Sequence, residues 1–508
     1  MNPLRRFSII LVIVIPLAAV TALGAGLAAG MQTAWQDKVA TNVLSALELQ
    51  DEAEFIVFMQ QQTDLSAAYA LGAREEKGRY VFEQLRETAR RSQQNVLAQL
   101  RDSGAAYRPY WIANMIWVRG DRTLLESVAA NPEVVAIYAN PYIRLSLPLP
   151  AESPLPYPPS GIEPNLSHIR VPQVWLQGVT GQGVVIGGQD TGYDWDHPAL
   201  IGKYRGWNGT SADHSYNWHD AIHSGGGGCG ADSPEPCDDF GHGTHTLGIM
   251  VGDDGGANQI GIAPGAKWIG CRNMNQGVGS PITYSECFQW FLAPTDANGA
   301  NPDPSLAPHV LNNSWACPPS EGCNDAIILQ TVVENVRAAG IVVVSSAGNY
   351  GGGCGTVQYP PAIYDASFSV GATDNSDNIA GFSSRGPVTV DGSNRLKPDV
   401  VAPGVSIRSS LLGGGYGTLS GTSMAAPHVA GLVALLISTN PLLAGDVDSI
   451  EAAIRESAAP LTGVQECGGV SGSTIPNNTY GYGRIDALDA FIDVDLPHRQ
   501  YIPYTAGS

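Results

Sequence analysis

The apolar residues of the second half of the chain fall in short, mostly β-branched runs. They are Val184-Val-Ile186, Trp268-Ile269, Val310-Leu311, Ile341-Val-Val-Val344 and Phe368-Ser-Val370, each bounded by Gly, Pro, Asn or Asp. Helix-like stretches lie at 242–251, 324–339 and 423–439. Parallel strands need long crossovers, and crossover helices cover the faces of the sheet they connect. Strand and helix in alternation therefore predict an α/β fold, a parallel sheet with helices on both faces. Ligand sites in such sheets gather at the C-terminal strand ends, so the polar residues that follow these runs carry the functional question.

The stretch 148–164 holds Pro148, Pro150, Pro154, Pro156, Pro158, Pro159 and Pro164. Such a run forms neither helix nor central strand, so it reads as a stiff connector between units. Before it, Glu54-Phe-Ile-Val-Phe-Met59, Trp111–Val118 and Val134–Tyr138 have strand character. Residues 66–101 lack Pro and are rich in helix formers, and a second helix starts at Asp121, a suitable cap. This order is compatible with a small ferredoxin-like α/β sandwich.

Composition divides the chain in the same places. Residues 1–30 carry Arg5 and Arg6 and no acid, then the apolar run Phe7–Val20 and small residues up to Gly30. These are the parts of a secretory signal peptide. The competing reading, an uncleaved membrane anchor, needs about 20 apolar residues, and here the run is shorter and interrupted by Pro16. Export is therefore expected. The net charge is −20, and it sits wholly in residues 151–508, with 13 basic against 33 acidic side chains. Phosphate binding needs clustered Lys and Arg, so a nucleic-acid partner is excluded.

All eight cysteines lie after residue 151. An even count in an exported chain suggests disulfides. Proximity in sequence pairs Cys229 with Cys237, Cys271 with Cys287 and Cys317 with Cys323, leaving Cys354 with Cys467. A zinc site is the alternative, but no C-x-x-C is present.

Three polar motifs follow the strand and helix signals. Gln189-Asp190-Thr191-Gly192 ends the first strand, Asp239-Phe-Gly-His242-Gly-Thr-His245 opens a helix, and Gly421-Thr-Ser423-Met-Ala-Ala-Pro-His428 opens another. Ser345-Ser-Ala-Gly-Asn349 follows the strand at 341–344. The chain order Asp, His, Ser is that of subtilisin and differs from the orders of chymotrypsin and the α/β-hydrolases. Over roughly residues 165–490 the chain resembles a subtilisin-like serine protease, a subtilase. Through Gly261-Ile-Ala-Pro-Gly-Ala-Lys-Trp268 and Leu311-Asn-Asn-Ser-Trp315 it is most similar to the bacillopeptidase F-like branch.

The resemblance implies roles. Ser423 is expected as nucleophile, His242 as general base and acid, and Asp190 as the group that orients the imidazole. Asn349, with the Ser423 backbone N–H, is expected to bind the oxyanion. Ser314, Trp315 and Ala316 match a substrate-pairing strand, Gly277–Pro281 the opposite edge, and Ser346, Ala347 and Gly348 the wall of the S1 pocket. Gln358 stands where a small residue often opens that pocket, and Tyr359-Pro360 matches a turn with a cis bond.

The implied organisation is a signal peptide (1–30), an inhibitory propeptide (31–147), the connector (148–164), the catalytic domain (165–490) and a tail (491–508). The expected partners are protein or peptide substrates and the chain's own propeptide, whose end near Tyr142–Leu147 would block the cleft; a monomer is expected. No cofactor is required for the chemistry. Asp232, Asp238 and Asp239 read either as a calcium site or as solvated acids, so no structural calcium is assigned. Asp194, Asp196 and His197 read as structural contacts around the Asp190 loop, and His242 with His245 lacks the Glu of a zincin. A catalytically inactive subtilase-fold binding protein and a narrow-specificity processing protease are the competing functions.

Overall fold

The computed structural model describes residues 35–145, 161–225, 227–325 and 327–499, with side chains to residue 495. The expected signal segment and most of the Pro-rich connector lie outside the described residues.

Seven parallel strands form the main sheet. Their spatial order is Val400–Pro403, Phe368–Thr373, Val342–Ser346, Val310–Asn313, Val185–Asp190, Lys267–Arg272 and Trp218–Asp220. The first of these seven in chain order, Val185–Asp190, lies between strands that come later in the chain. That arrangement is a topological switch point, where the loops leaving adjacent strand ends diverge and open a crevice.

Alternate residues of each strand face opposite sides, and both sides are apolar. Trp268, Val310, Val342 and Val344 join one core with the helices His242–Val251, Thr422–Thr439 and Val447–Glu456. Ile269, Leu311 and Val343 join the other with the helices Pro281–Leu292 and Gln330–Ala338. Thr422–Thr439 is apolar around its whole circumference because it is buried from Thr422 to Ile437. The helix Ala487–Arg499 carries Phe491 and Val494 into the first core. The ordered unit therefore extends past residue 490, where a tail was expected to begin.

Residues 35–145 form a separate four-stranded antiparallel sheet, ordered Ala106–Tyr110, Met115–Gly120, Ala53–Met59 and Val134–Ala139. This is the order of a ferredoxin-like sandwich. Asp121 caps the helix Arg122–Ala129, its Oδ1 accepting from the Leu124 N–H at 2.8 Å. Where one strand was expected over 111–118, the chain makes a hairpin. Its first strand contains Pro109 and lies at the sheet edge, where a missing N–H costs no ladder bond. The expected helix over 66–101 is broken. It runs as Arg74–Ser92 and Gln94–Ser103, and at the junction the buried Gln93 amide donates to the Tyr110 carbonyl and Asn114 Oδ1, both at 3.0 Å.

One face of this small sheet packs on its own helices. The other face, through Ile56, Phe58 and Met115, shares a core with Phe288, Phe291 and Val332 of the large unit. Gln289 Oε1 accepts the N–H groups of Trp111 and Ile112 at 2.7 and 3.2 Å, fixing the hairpin turn on the helix Pro281–Leu292.

Four disulfides join Cys229–Cys237, Cys271–Cys287, Cys317–Cys323 and Cys354–Cys467. The last closes a separation of 113 residues and the third only 6. Loop-closure entropy in the unfolded chain predicts losses of about 5 and about 2 kcal/mol on their removal. Denaturant midpoints of paired Cys→Ser variants, measured in the Ser423→Ala background, are expected to fall further for Cys354/Cys467 than for Cys317/Cys323. The reverse order would contradict this loop-length account.

Candidate active site

Asp190 is the last residue of its strand, and His242 is the first residue of the helix His242–Val251. Both are buried, and His242 Nδ1 lies 2.7 Å from Asp190 Oδ1. The same Oδ1 accepts the Thr191 N–H at 2.8 Å. Gly241, at φ 93°, makes the turn that brings His242 to the helix start, in a backbone region that disfavours residues with a Cβ.

A half-buried carboxylate beside the pair ties the two segments together. Asp238 Oδ1 accepts from Thr191 Oγ1 at 2.9 Å and from the Phe240 and Gly241 N–H groups, while Oδ2 accepts both the N–H and the hydroxyl of Thr244. Burial raises its pKa against the lowering effect of these bonds. Asp239 pairs with Arg272 at 3.0 Å, and Asp232 with His223 at 2.5 Å. The three acids are thus committed to separate partners, and Asp238 is half-buried with its oxygens taken up by protein donors. No cluster suited to a metal ion occurs among the described residues.

Ser423 lies in the first turn of Thr422–Thr439 and is buried. Its hydroxyl donates to the Ser314 carbonyl at 3.2 Å, and the Ser314 hydroxyl donates to the Ser423 carbonyl at 3.0 Å. His242 Nε2 has no hydrogen-bond partner among the described residues. The structure therefore joins Asp190 to His242 directly, while the Ser423 hydroxyl is turned to Ser314. Asn349 Oδ1 accepts the N–H and the hydroxyl of Thr422, both at 2.9 Å. Asn349 and Ser423 border the same cleft.

One cleft is bordered by Ser314, Trp315, Ala316, Ser346, Gly348, Asn349 and Ser423. Trp315 borders it as expected, with its ring stacked on Tyr284, centroids 3.9 Å apart. Three expectations about it need correction. Ala347 does not border it, because its N–H extends the sheet to the Val370 carbonyl and its methyl joins the core. Gln358 donates to the Gly355 carbonyl within its own loop. The cis bond expected at Tyr359-Pro360 falls one residue later, between Pro360 and Pro361.

The cleft also contains Arg144 and Leu145 from the small unit. Ile143–Arg144 pairs antiparallel with Val278–Gly279, and the Leu145 N–H donates to the Gly277 carbonyl at 2.7 Å. This is β-augmentation of a sheet edge, which binds backbone with little demand on sequence. The Arg144 N–H donates to Glu321 Oε2 at 3.0 Å, a contact no motif signalled.

The remaining histidines of these motifs are structural. His245 Nε2 contacts the Gly417 carbonyl, and burial together with nearby His242 pushes its pKa to about 3. His428 bonds Met424 and Asn165 at 2.8 Å each, and burial lowers it to about 4. Met424 is fully buried. His197 bonds the Gly415 carbonyl and Asp194 accepts the Gly413 N–H, so these two residues after Asp190 bind neighbouring loop backbone.

Comparison with known proteins agrees with this architecture. The model of the Subtilase family matches residues 181–483. The chain is 38% identical to Bacillopeptidase F of Bacillus subtilis (strain 168) over 435 residues, covering 81% of this chain and 28% of that protein. It is 33% identical to Subtilisin E of the same strain over 279 residues, covering 54% of this chain and 61% of the relative. The matched region thus spans less than two thirds of either relative's length. On the family match and the parallel sheet together, the chain belongs to the subtilase family.

Proposed function

We propose that the chain is a secreted serine endopeptidase made as a zymogen, with Ser423 as nucleophile, His242 as proton carrier and Asp190 as its orienting carboxylate. The observation that carries this reading is the buried 2.7 Å contact between His242 Nδ1 and Asp190 Oδ1. It commits the imidazole's Nδ1 proton to the carboxylate and leaves Nε2 free to accept one. When the Ser423 hydroxyl swings from the Ser314 carbonyl to Nε2, its oxygen attacks the scissile carbonyl carbon and its proton passes to His242. The tetrahedral oxyanion receives the Asn349 amide N–H and the Ser423 backbone N–H, aided by the positive end of an 18-residue helix. Collapse expels the amine with the proton from Nε2. Water, deprotonated by His242, then releases the acyl group from Ser423.

Substrate backbone would pair along Val278–Gly279, the edge that residues 143–145 now occupy. Residues 31–147 would therefore act as an intramolecular inhibitor, cleaved between about residue 144 and residue 163. Four disulfides and the apolar N-terminal run support export.

Full-length chain and its Ser423→Ala variant should differ on a gel. The parent is expected to shed roughly its first 150 residues and hydrolyse casein, and the variant to do neither. Equal maturation without hydrolysis in both would sink the enzyme reading in favour of a binding protein. Asn349→Ala is expected to lower kcat by about 10²–10³-fold, with KM little changed. A fall smaller than about ten-fold would remove Asn349 from the oxyanion role.

A further inference from the structure

The strand Ile143–Arg144 has two sides. On one, Arg144 faces Val278 across the antiparallel ladder, and the next N–H, that of Leu145, donates to the Gly277 carbonyl. Successive N–H groups of a strand point to opposite sides. The Arg144 N–H therefore points away from that edge, toward the wall where Ser314, Trp315 and Ala316 were expected to offer backbone. It meets a carboxylate instead, Glu321 Oε2, at 3.0 Å.

Glu321 stands on a turn with little freedom. Pro319–Glu321 is a single 3-10 turn inside the ring closed by Cys317–Cys323. The Glu321 and Cys323 N–H groups both donate to the Pro318 carbonyl, at 3.1 and 3.3 Å. The Cys317 N–H donates to the Pro360 carbonyl at 3.0 Å and anchors the ring to the large unit. Gly322, at φ 101°, passes so close to Pro141 that a Cβ there would lie 2.8 Å from the proline Cβ. Among the described residues the Glu321 carboxylate pairs with no cation, and the Arg144 N–H is its hydrogen-bond partner. Its charge is felt in the cleft: the phenol of Tyr350, which borders it, is pushed up by burial first and then by Tyr359 and Glu321.

We propose that Glu321 is a substrate-binding residue: its carboxylate accepts the backbone N–H of the substrate residue that takes the place of Arg144. The substrate strand is then held by backbone on one side and by a charged side chain on the other. The proposal rests on the reading of this cleft as a protease's and of residues 143–145 as an occupant that substrate replaces.

The chemistry sets a substrate class. A hydrogen bond to a carboxylate is charge-assisted and stronger than one to a neutral carbonyl. Proline has no N–H to give, so the class is an extended segment with a residue other than proline at this position. The disulfide ring holds the carboxylate in place before binding, which lowers the entropy lost when substrate arrives. The competing role is purely structural. Glu321 would then only fasten the ring to the small unit, as Asn42 does when its side-chain amide donates to the Gly322 carbonyl at 3.1 Å.

Two measurements separate these roles, and the first needs no catalysis. In the full-length Ser423→Ala chain, hydrogen exchange resolved to single amides is expected to quicken at Arg144 by at least about ten-fold in Glu321→Ala. The change is expected to be smaller in Glu321→Gln, whose amide oxygen still accepts, and slight at Leu145, whose acceptor is Gly277. In the second, a peptide of residues 140–147 competes with casein for the processed protein, beside an analogue carrying an ester in place of the amide between residues 143 and 144. The ester is expected to raise the inhibition constant at least about ten-fold for the parent and about two-fold or less for Glu321→Ala. No change at Arg144, equal quickening at Arg144 and Leu145, or an ester penalty of one size with and without Glu321 would overturn the proposal. Absence of casein hydrolysis by the parent would instead strike the protease reading, on which the exchange at Arg144 does not depend.

Discussion

The contact between His242 and Asp190 exists because of where one strand lies. Val185–Asp190 is flanked by Lys267–Arg272 on one side and Val310–Asn313 on the other. Its C-terminal residue therefore opens into the crevice where the chain's connections diverge. The helix bearing His242 packs over that end, held by Asp238, which reaches Thr191 from one oxygen and Thr244 from the other. Thr422–Thr439 brings Ser423 to the same crevice from the core. Displacing any of these segments would break the alignment on which the proposed proton transfer depends.

The small unit uses the same geometry from outside. Its sheet lends one face to the large unit's apolar core, and its C-terminal end continues as a strand on the Val278–Gly279 edge. Ile143 is buried there, and a buried Ile side chain contributes roughly 1.5–3 kcal/mol. Docking surface and occupied cleft are therefore linked through a few residues of chain. The sheet face and the strand thus dock on the large unit together.

Much of this was legible in the sequence where local and global preferences agree. The short β-branched runs became central strands, shifted by a residue or extended, and the helix expected over 242–251 forms with those bounds. Asp190 meets His242, and Asn349 meets the start of the Ser423 helix, because each follows a strand or opens a helix at the C-terminal ends of the parallel strands. The edge strands Trp218–Asp220 and Val400–Pro403 went unread, since runs of three and four residues carry little periodicity. The Ala106–Tyr110 strand was hidden by Pro109. The tertiary hydrogen bonds of Gln93, at the junction of two helices, are ones that no local pattern announces. The Arg144 N–H and its acceptor Glu321 stand 177 residues apart, so only the folded chain brings them together.

The central claim is that Ser423 is a nucleophile made reactive by His242. Labelling the processed protein with phenylmethylsulfonyl fluoride and mapping the adduct by mass tests it most directly, because an unactivated serine does not react. The account predicts one sulfonyl adduct, on Ser423, and its loss in His242→Ala. An adduct on another residue, or equal labelling of Ser423 without His242, would contradict it.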